Sequence, residues 1–257
     1  VLCPGYIAKG EESVTANDMT AMTGYEPIKF VSTAAHSGAS KGTSDWPLFR
    51  TAEVYLNYAE AKAELGTLTK DDLLISIDRI RDRAGMKGLD MAAANANPDP
   101  FLLACYPNVT KSENTGVILE IRRERTIELV MEGLRMWDMF RWKEGAQLVN
   151  ETNPYYGIYF SGPGLYDMDG DGRNDLELYV DKQTSSPADG LTVLRIGSDI
   201  ILSDMAENRG YVVAWSTLKY TWNEERDYLW PIPADQRVLT GGLLTQNPGW
   251  TDSTDFD

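Results

Sequence analysis

The stretch FRTAEVYLNYAEAKAELG, from Phe49 to Gly66, constrains the chain most. It is dense in residues that lose little freedom in a helix, lacks proline, and ends on a glycine suited to a C-terminal cap. Arg50, Glu53, Asn57, Glu60 and Glu64 recur every three or four positions, which leaves Ala52, Tyr55, Leu56, Ala59 and Ala63 for packing. Small residues on that face let a neighbouring helix approach closely. Thr69, followed by Asp71 and Asp72, reads as the N-cap of a second helix that runs through LLISIDRIRDRAGM and stops at Gly85. Two helices across so short a turn form a helical hairpin, the unit of tetratricopeptide-like solenoids.

Residues 1–45, rich in Ser, Thr, Gly and Ala without periodicity, predict loops and short extended pieces. Gly88 to Asn114 holds NANPDP and other turn formers, so an irregular insertion is expected there. The stretch from Gly116 to Gly145 is the most charged of the chain, with opposite charges three apart at Glu120 with Arg123 and at Arg125 with Glu128. That spacing predicts ion pairs along a helix face, with Trp137, Phe140 and Trp142 packed in the core beside them. Beyond Asn150 the helical pattern stops. YYGIYFSGPGLY and LELYV read as short strands and loops, and Pro231 with Pro233 argues against a helix near the end. In the final QNPGW, Asn247 should be extended and Gly249 free to take positive φ.

The 257 residues suffice for one large domain with a sizeable core. Hydrophobic residues make up 42% and charged residues 25%, an ordinary globular balance. No apolar run approaches the ~20 residues a membrane-spanning helix needs. Lys plus Arg number 24 against 39 Asp plus Glu, a formal charge of -15 that repels phosphate backbones and argues against nucleic acid as a partner. Neutral sugars, cations or a basic protein surface are compatible with that field. Cys3 and Cys105 form no CxxC pair, so neither a zinc site nor a disulfide framework is indicated. Leu2-Cys3 lacks the basic and apolar regions of a lipoprotein signal before it, and Cys3 reads as an ordinary residue of a chain that begins mid-protein.

Four separated segments together resemble the C-terminal region of the SusD/RagB family. They are DWPLFRTAEVYLNYAEAKAELG from Asp45, IDRIRDRAGM from Ile77, ERTIELVMEGLRMWDMFRW from Glu124 and LWPIPADQRVLTGGLLTQNPGW from Leu229, in the family's order and spacing. The resemblance implies a mainly α fold of tetratricopeptide-like helical hairpins, an α/α superhelix, with an irregular, loop-rich cap containing short strands. Residues 1–257 would be the C-terminal half of such a protein, with the helical core over approximately 46–145 and the cap over 146–257. It also implies an outer-membrane lipoprotein on the extracellular face, its lipid anchor not in this chain. Such a protein binds oligosaccharide, or peptide in some branches, and passes it to a SusC-like TonB-dependent transporter.

No short motif of that family marks the ligand contacts, so the candidates come from composition. Tyr155, Tyr156, Tyr159 and Tyr166 lie in a Gly- and Pro-punctuated loop, where phenol rings can stack on a pyranose and their hydroxyls bond its rim. The same rings can instead pack the cap against the helices, the commoner use. Trp46 and Trp215 are similar, weaker candidates. DMDGDGRND places Asp167, Asp169 and Asp171 at alternate positions before Gly172, as in the first half of an EF-hand loop. Arg173 could offer its carbonyl and Asp175 a further oxygen. Leu178 stands where an EF-hand needs its bidentate Glu, so the readings are a structural calcium loop or a solvated acidic turn.

His36 is the only histidine and sits in a Ser-, Ala- and Gly-rich loop, which argues against Ser-His-Asp and Cys-His mechanisms. There is no GxSxG elbow, phosphate-cradling glycine loop or HExxH helix. A glycosidase, which needs only two well-spaced carboxylates, is the enzyme alternative, and a helical interaction scaffold the other. The expected role is binding without catalysis.

Overall fold

The computed structural model describes residues 2–4, 23–27, 29, 45, 47–149, 156–168, 170–186, 190–213 and 221–251. It divides into two units, Val1–Trp46 with Pro154–Lys219 and Pro47–Asn153 with Tyr220–Asp257. The segment from Tyr220, assigned by sequence to the cap, therefore groups with the helices. Among the described residues no helix is long and apolar enough to cross a membrane.

The helical unit is built on α1 (Thr51–Glu64), α2 (Lys70–Ile75), α3 (Ile77–Arg83) and α6 (Thr115–Glu128). As expected, Leu56, Ala59 and Ala63 of α1 are buried, against Leu73, Ile77 and Ile80 and against Val117, Ile118 and Ile121 of α6. Gly66 takes φ +68 and closes α1 with Thr67 N donating to Lys62 O at 2.9 Å, a Schellman end. Thr69 makes a capping box with Asp72. The second helix is not continuous. It breaks at Ser76, whose buried hydroxyl donates to Asp72 O at 2.5 Å and diverts the backbone into φ -126, ψ -100.

The expected irregular insertion carries two short helices, α4 (Met91–Ala96) and α5 (Pro100–Cys105). Asp90 and Asp99, which read as turn formers, are their N-caps. Gly116 lets the α4 backbone lie on α6, because a Cβ there would overlap the Ala94 carbonyl. After α6 the chain turns through Met131 and Gly133, both with positive φ, into α7 (Arg135–Trp142) and α8 (Gly145–Val149). Cys105 is a half-buried free thiol.

Ion pairing on α6 follows the prediction in one place only. Arg123 does pair with Glu120 at 2.6 Å. Arg125 does not pair with Glu128: it is buried and donates to Asp138 of α7 at 2.7 Å and to Asn57 of α1 at 2.6 Å. Glu128 meets Arg50 and Arg83 instead, at 2.9 and 2.5 Å. The charges expected to pair along one helix face therefore also tie helices together. Glu60 belongs to the same network, since it is buried and accepts both Arg141 Nη atoms at 2.6 Å and the Trp142 indole at 2.7 Å. Burial opposes its ionisation, but those donors outweigh burial and hold its carboxyl below the ordinary range. Trp142 is in the core as expected, whereas Trp137 is 56% exposed.

A helix does form near the end, α9 (Ala234–Leu239), because Pro233 precedes its first turn and costs it no hydrogen bond. The last motif folds back on the proline motif: Asn247 Nδ2 donates to Trp230 O at 2.7 Å and Trp250 Nε1 to Leu229 O at 2.9 Å. Gly249 has φ +77, as QNPGW requires.

The other unit pairs β1 (Leu2–Pro4) with β2 (Tyr25–Pro27). Among the described residues it also holds two three-stranded sheets. One runs β3 (Tyr156–Phe160), β8 (Arg209–Val213), β7 (Leu202–Asp204), all antiparallel. The other runs β4 (Gly164–Tyr166), β5 (Leu176–Tyr179), β6 (Thr192–Arg195), with β5 and β6 parallel. Phe160, Leu202 and Val212 of the first sheet share one core with Leu176 and Leu178 of the second.

Candidate functional site

On β8 burial alternates strictly, with Gly210 and Val212 inward and Arg209 and Tyr211 outward. Gly210, at φ +115, lies so close to β7 that a Cβ would overlap Ser203 Oγ. That approach lets the Ser203 hydroxyl accept from Tyr211 N at 3.0 Å and fixes the tyrosine's place on the strand. Across from it, β3 carries Tyr156 and Tyr159, three apart, which a regular strand would point to opposite faces. The pairing is Tyr156 with Val213 and Tyr159 with Tyr211, so three steps on β3 meet two on β8. This bulge brings both tyrosines to the outer face, while Gly157 and Phe160 turn inward.

The result is a tyrosine cluster. Tyr156, Tyr159 and Tyr211 are 49%, 51% and 47% exposed, about half of each ring being open to a ligand. Tyr156 stacks on Tyr211 at 5.4 Å and 19°, and Tyr159 meets Tyr211 edge-on at 5.2 Å and 71°. Each ring braces the next, so little side-chain freedom is left to lose when a ligand arrives. Open aromatic surface with a phenol hydroxyl on each ring suits a sugar, which has apolar C–H faces and a polar rim.

Of the four tyrosines singled out by sequence, the structure brings two together. Tyr155 lies outside the described residues. Tyr166 is half-buried, packs edge-on against Phe160 at 4.9 Å and donates to Gly162 O at 2.5 Å, which shapes the turn into β4. Trp46 and Trp215 lie outside the described residues, as does His36. Tyr211 was missed, and the only local signal for it was the alternation in RGYVV.

In the acidic turn the described carboxylates accept from their own backbone. Asp167 accepts from Gly170 N at 2.7 Å and Gly172 N at 2.9 Å, and Asp171 from Arg173 N at 2.7 Å. Asp175 is buried and accepts from Met168 N at 2.8 Å. Asp169 lies outside the described residues, and among those described no three His, Cys, Asp or Glu side chains converge on a metal position.

The general acid of a glycosidase is a carboxyl with a raised pKa, and Glu144 is pushed up to about 7, chiefly by burial. Its side chain has no solvent exposure at all, so no glycosidic oxygen can reach it.

No curated protein matches this chain significantly. Among solved structures, a SusD-like protein (BF3747) from Bacteroides fragilis NCTC 9343 aligns with 22% identity and a TM-score of 0.49, covering 89% of this chain and 31% of that one. The structure named BT4246 aligns with 24% identity and a TM-score of 0.50, covering 89% of this chain and 28% of its own. This chain thus spans under a third of the length of either. The model of the SusD family matches residues 5–250, nearly the whole sequence, and the chain belongs to the SusD family.

Proposed function

We propose that this chain is the nutrient-binding part of a cell-surface glycan-uptake system, taking oligosaccharide from the medium without cleaving it. The tyrosine cluster of Tyr156, Tyr159 and Tyr211 carries the reading, since it offers braced, half-open rings. Family membership supports it, together with the enclosure of Glu144, a carboxyl raised to about 7. In the full proposal the protein sits on the extracellular face of the outer membrane through a lipid anchor and hands its ligand to a SusC-like TonB-dependent transporter. Its helical unit would continue into a tetratricopeptide-like superhelix, for which the packing of α1 with α2 and α3 is the motivating unit.

The test is a panel of neutral oligosaccharides, with binding read by calorimetry and products by chromatography, on wild type and on Tyr156→Ala and Tyr211→Ala. By analogy with nucleobases stacked on aromatic side chains, one lost ring is worth about 1–3 kcal/mol, so a drop in affinity of about fivefold or more is expected for each variant. Cleaved product, or unchanged affinity in both variants, sinks the reading.

For the acidic turn of residues 167–175 the proposal is narrower: a calcium ion that orders the turn and takes no part in ligand chemistry. The spacing of its acids supports it. Calcium should raise the melting temperature of wild type and not that of Asp171→Ala; no calcium effect in wild type removes the ion.

A further inference from the structure

Glu144 links three parts of the helical unit. Its Oε1 accepts from Asn108 N at 2.9 Å and lies 3.5 Å from Arg122 Nη1 of α6. Its Oε2 is buried without a hydrogen-bond partner, and so are Nε and Nη1 of Arg122. The guanidinium is held by other means: it lies over the Trp142 ring at 4.6 Å and the Tyr106 ring at 5.5 Å, with Glu64 of α1 at 3.6 Å. An ion pair this long and this poorly hydrogen-bonded does not offset the desolvation of a carboxylate.

The next two residues hold the C-terminal segment. Gly145 N donates to the Tyr228 hydroxyl at 3.1 Å, and Ala146 N to Glu224 Oε1 at 3.2 Å, which also accepts from the Tyr228 hydroxyl at 3.1 Å. Trp222 packs so tightly on Gly145 that a Cβ there would overlap the indole. Two carboxylates, Glu144 and Glu224, therefore meet at one junction, opposed by Arg122 and more weakly by Lys111, while Glu60 and Glu64 draw on the same Arg122.

We propose that the junction between α7 and α8 is a proton-operated latch: a proton on Glu144 seats the Trp222–Tyr228 segment on Gly145 and Ala146, and its loss loosens that seat. A neutral carboxyl leaves no buried anion beside Glu224, while Arg122 keeps Glu64 at 3.6 Å as its counter-charge. An anion there repels Glu224 and draws water toward the junction. Because burial raises the carboxyl to about 7 from an ordinary value near 4.5, the seat is tightest below about 4.5 and is lost as pH rises through about 7.

Hydrogen exchange of the Gly145 and Ala146 amides across pH 5 to 8, expressed as protection factors, reads the latch directly. Wild type should lose protection by at least about tenfold over that range, beyond the intrinsic dependence of exchange on pH. Glu144→Gln, which mimics the neutral acid and keeps the Asn108 contact, should hold high protection throughout. Glu224→Gln should move the loss to lower pH and make it smaller, because the like charge that raises Glu144 and repels it is gone. The proposal is overturned if Glu144→Gln shows the wild-type profile, or if wild-type protection is flat. A uniform loss in Glu144→Gln at every pH overturns it too, since that marks the residue as merely structural.

Discussion

Two acids on neighbouring stretches of the helical unit each accept from an arginine of α6, and their surroundings make them unequal. Asp138 and Arg125 have side chains 3% and 5% exposed, so removing the carboxyl strands a buried guanidinium. Asp138→Ala should cost about 3–5 kcal/mol in urea unfolding. Glu120 and Arg123 sit at the rim, and Glu120→Ala should cost about 0.5 kcal/mol or less. Equal losses would mean the buried pair gains no more from its site than the exposed one. In the strand unit, Glu177 of β5 shows the opposite behaviour to Glu144. Burial pushes its carboxyl up, but hydrogen bonds from Thr184 N, Thr184 Oγ1 and Ser185 N, at 2.6, 2.8 and 2.6 Å, outweigh that and bring it down to about 2. A carboxyl depressed on folding stabilises the fold above its ordinary value and loses that contribution as pH falls toward its folded one. The melting temperature should therefore decline between about pH 4.5 and pH 2, and Glu177→Gln should flatten that decline. A variant with the wild-type slope would assign acid sensitivity elsewhere.

At the scale of elements, close backbone approach decides what can change. The α4 backbone rests on Gly116 of α6, where a methyl group would run into the Ala94 carbonyl. Backbone cannot rotate away as a side chain can, so Gly116→Ala should destabilise by about 1–3 kcal/mol, read by denaturant unfolding. It should also expose the Val117 amide, which donates to Asn95 Oδ1 at 2.7 Å, to faster hydrogen exchange. A stable variant with that amide still protected would show that α4 can shift at no cost. Elements of this kind divide by how local their causes are. The first helix, its Gly66 end and the Thr69 cap are legible in sequence because each depends on residues within one turn. The break at Ser76 depends on where a buried hydroxyl turns, and α4 and α5 depend on aspartates that serve equally as turn formers and as caps. Two of the three tyrosines of the cluster were legible for a similar reason: Tyr156 and Tyr159 stand out by local composition. Their shared face comes from a bulge, and Tyr211 joins them through pairing across more than fifty residues, which no local pattern encodes.

For the molecule as a whole, charge is the property that every ligand meets first. Acidic side chains outnumber basic ones 39 to 24. Several of the cations are committed inside the helical unit, Arg50 to Glu128 and Glu132, Arg81 to Glu124, Arg125 to Asp138 and Arg141 to Glu60. The long-range field is accordingly that of a formal charge of -15, with the tyrosine cluster set in it. The one cation on the outer face of β8, Arg209, lies 3.4 Å from Asp204 and is locally balanced. A neutral oligosaccharide feels little of this field, so its affinity should change less than about twofold between low and high salt, where the screening length falls from about 30 to 3 Å. A sulfated or uronate-rich glycan of the same length should bind more weakly at low salt and gain as salt is added. Calorimetry with a matched neutral and anionic pair across that range separates the two, with the melting temperature followed alongside because screening also relieves self-repulsion of the fold. Tighter binding of the anionic glycan at low salt would place a cationic contact at the site and overturn the preference for neutral sugars.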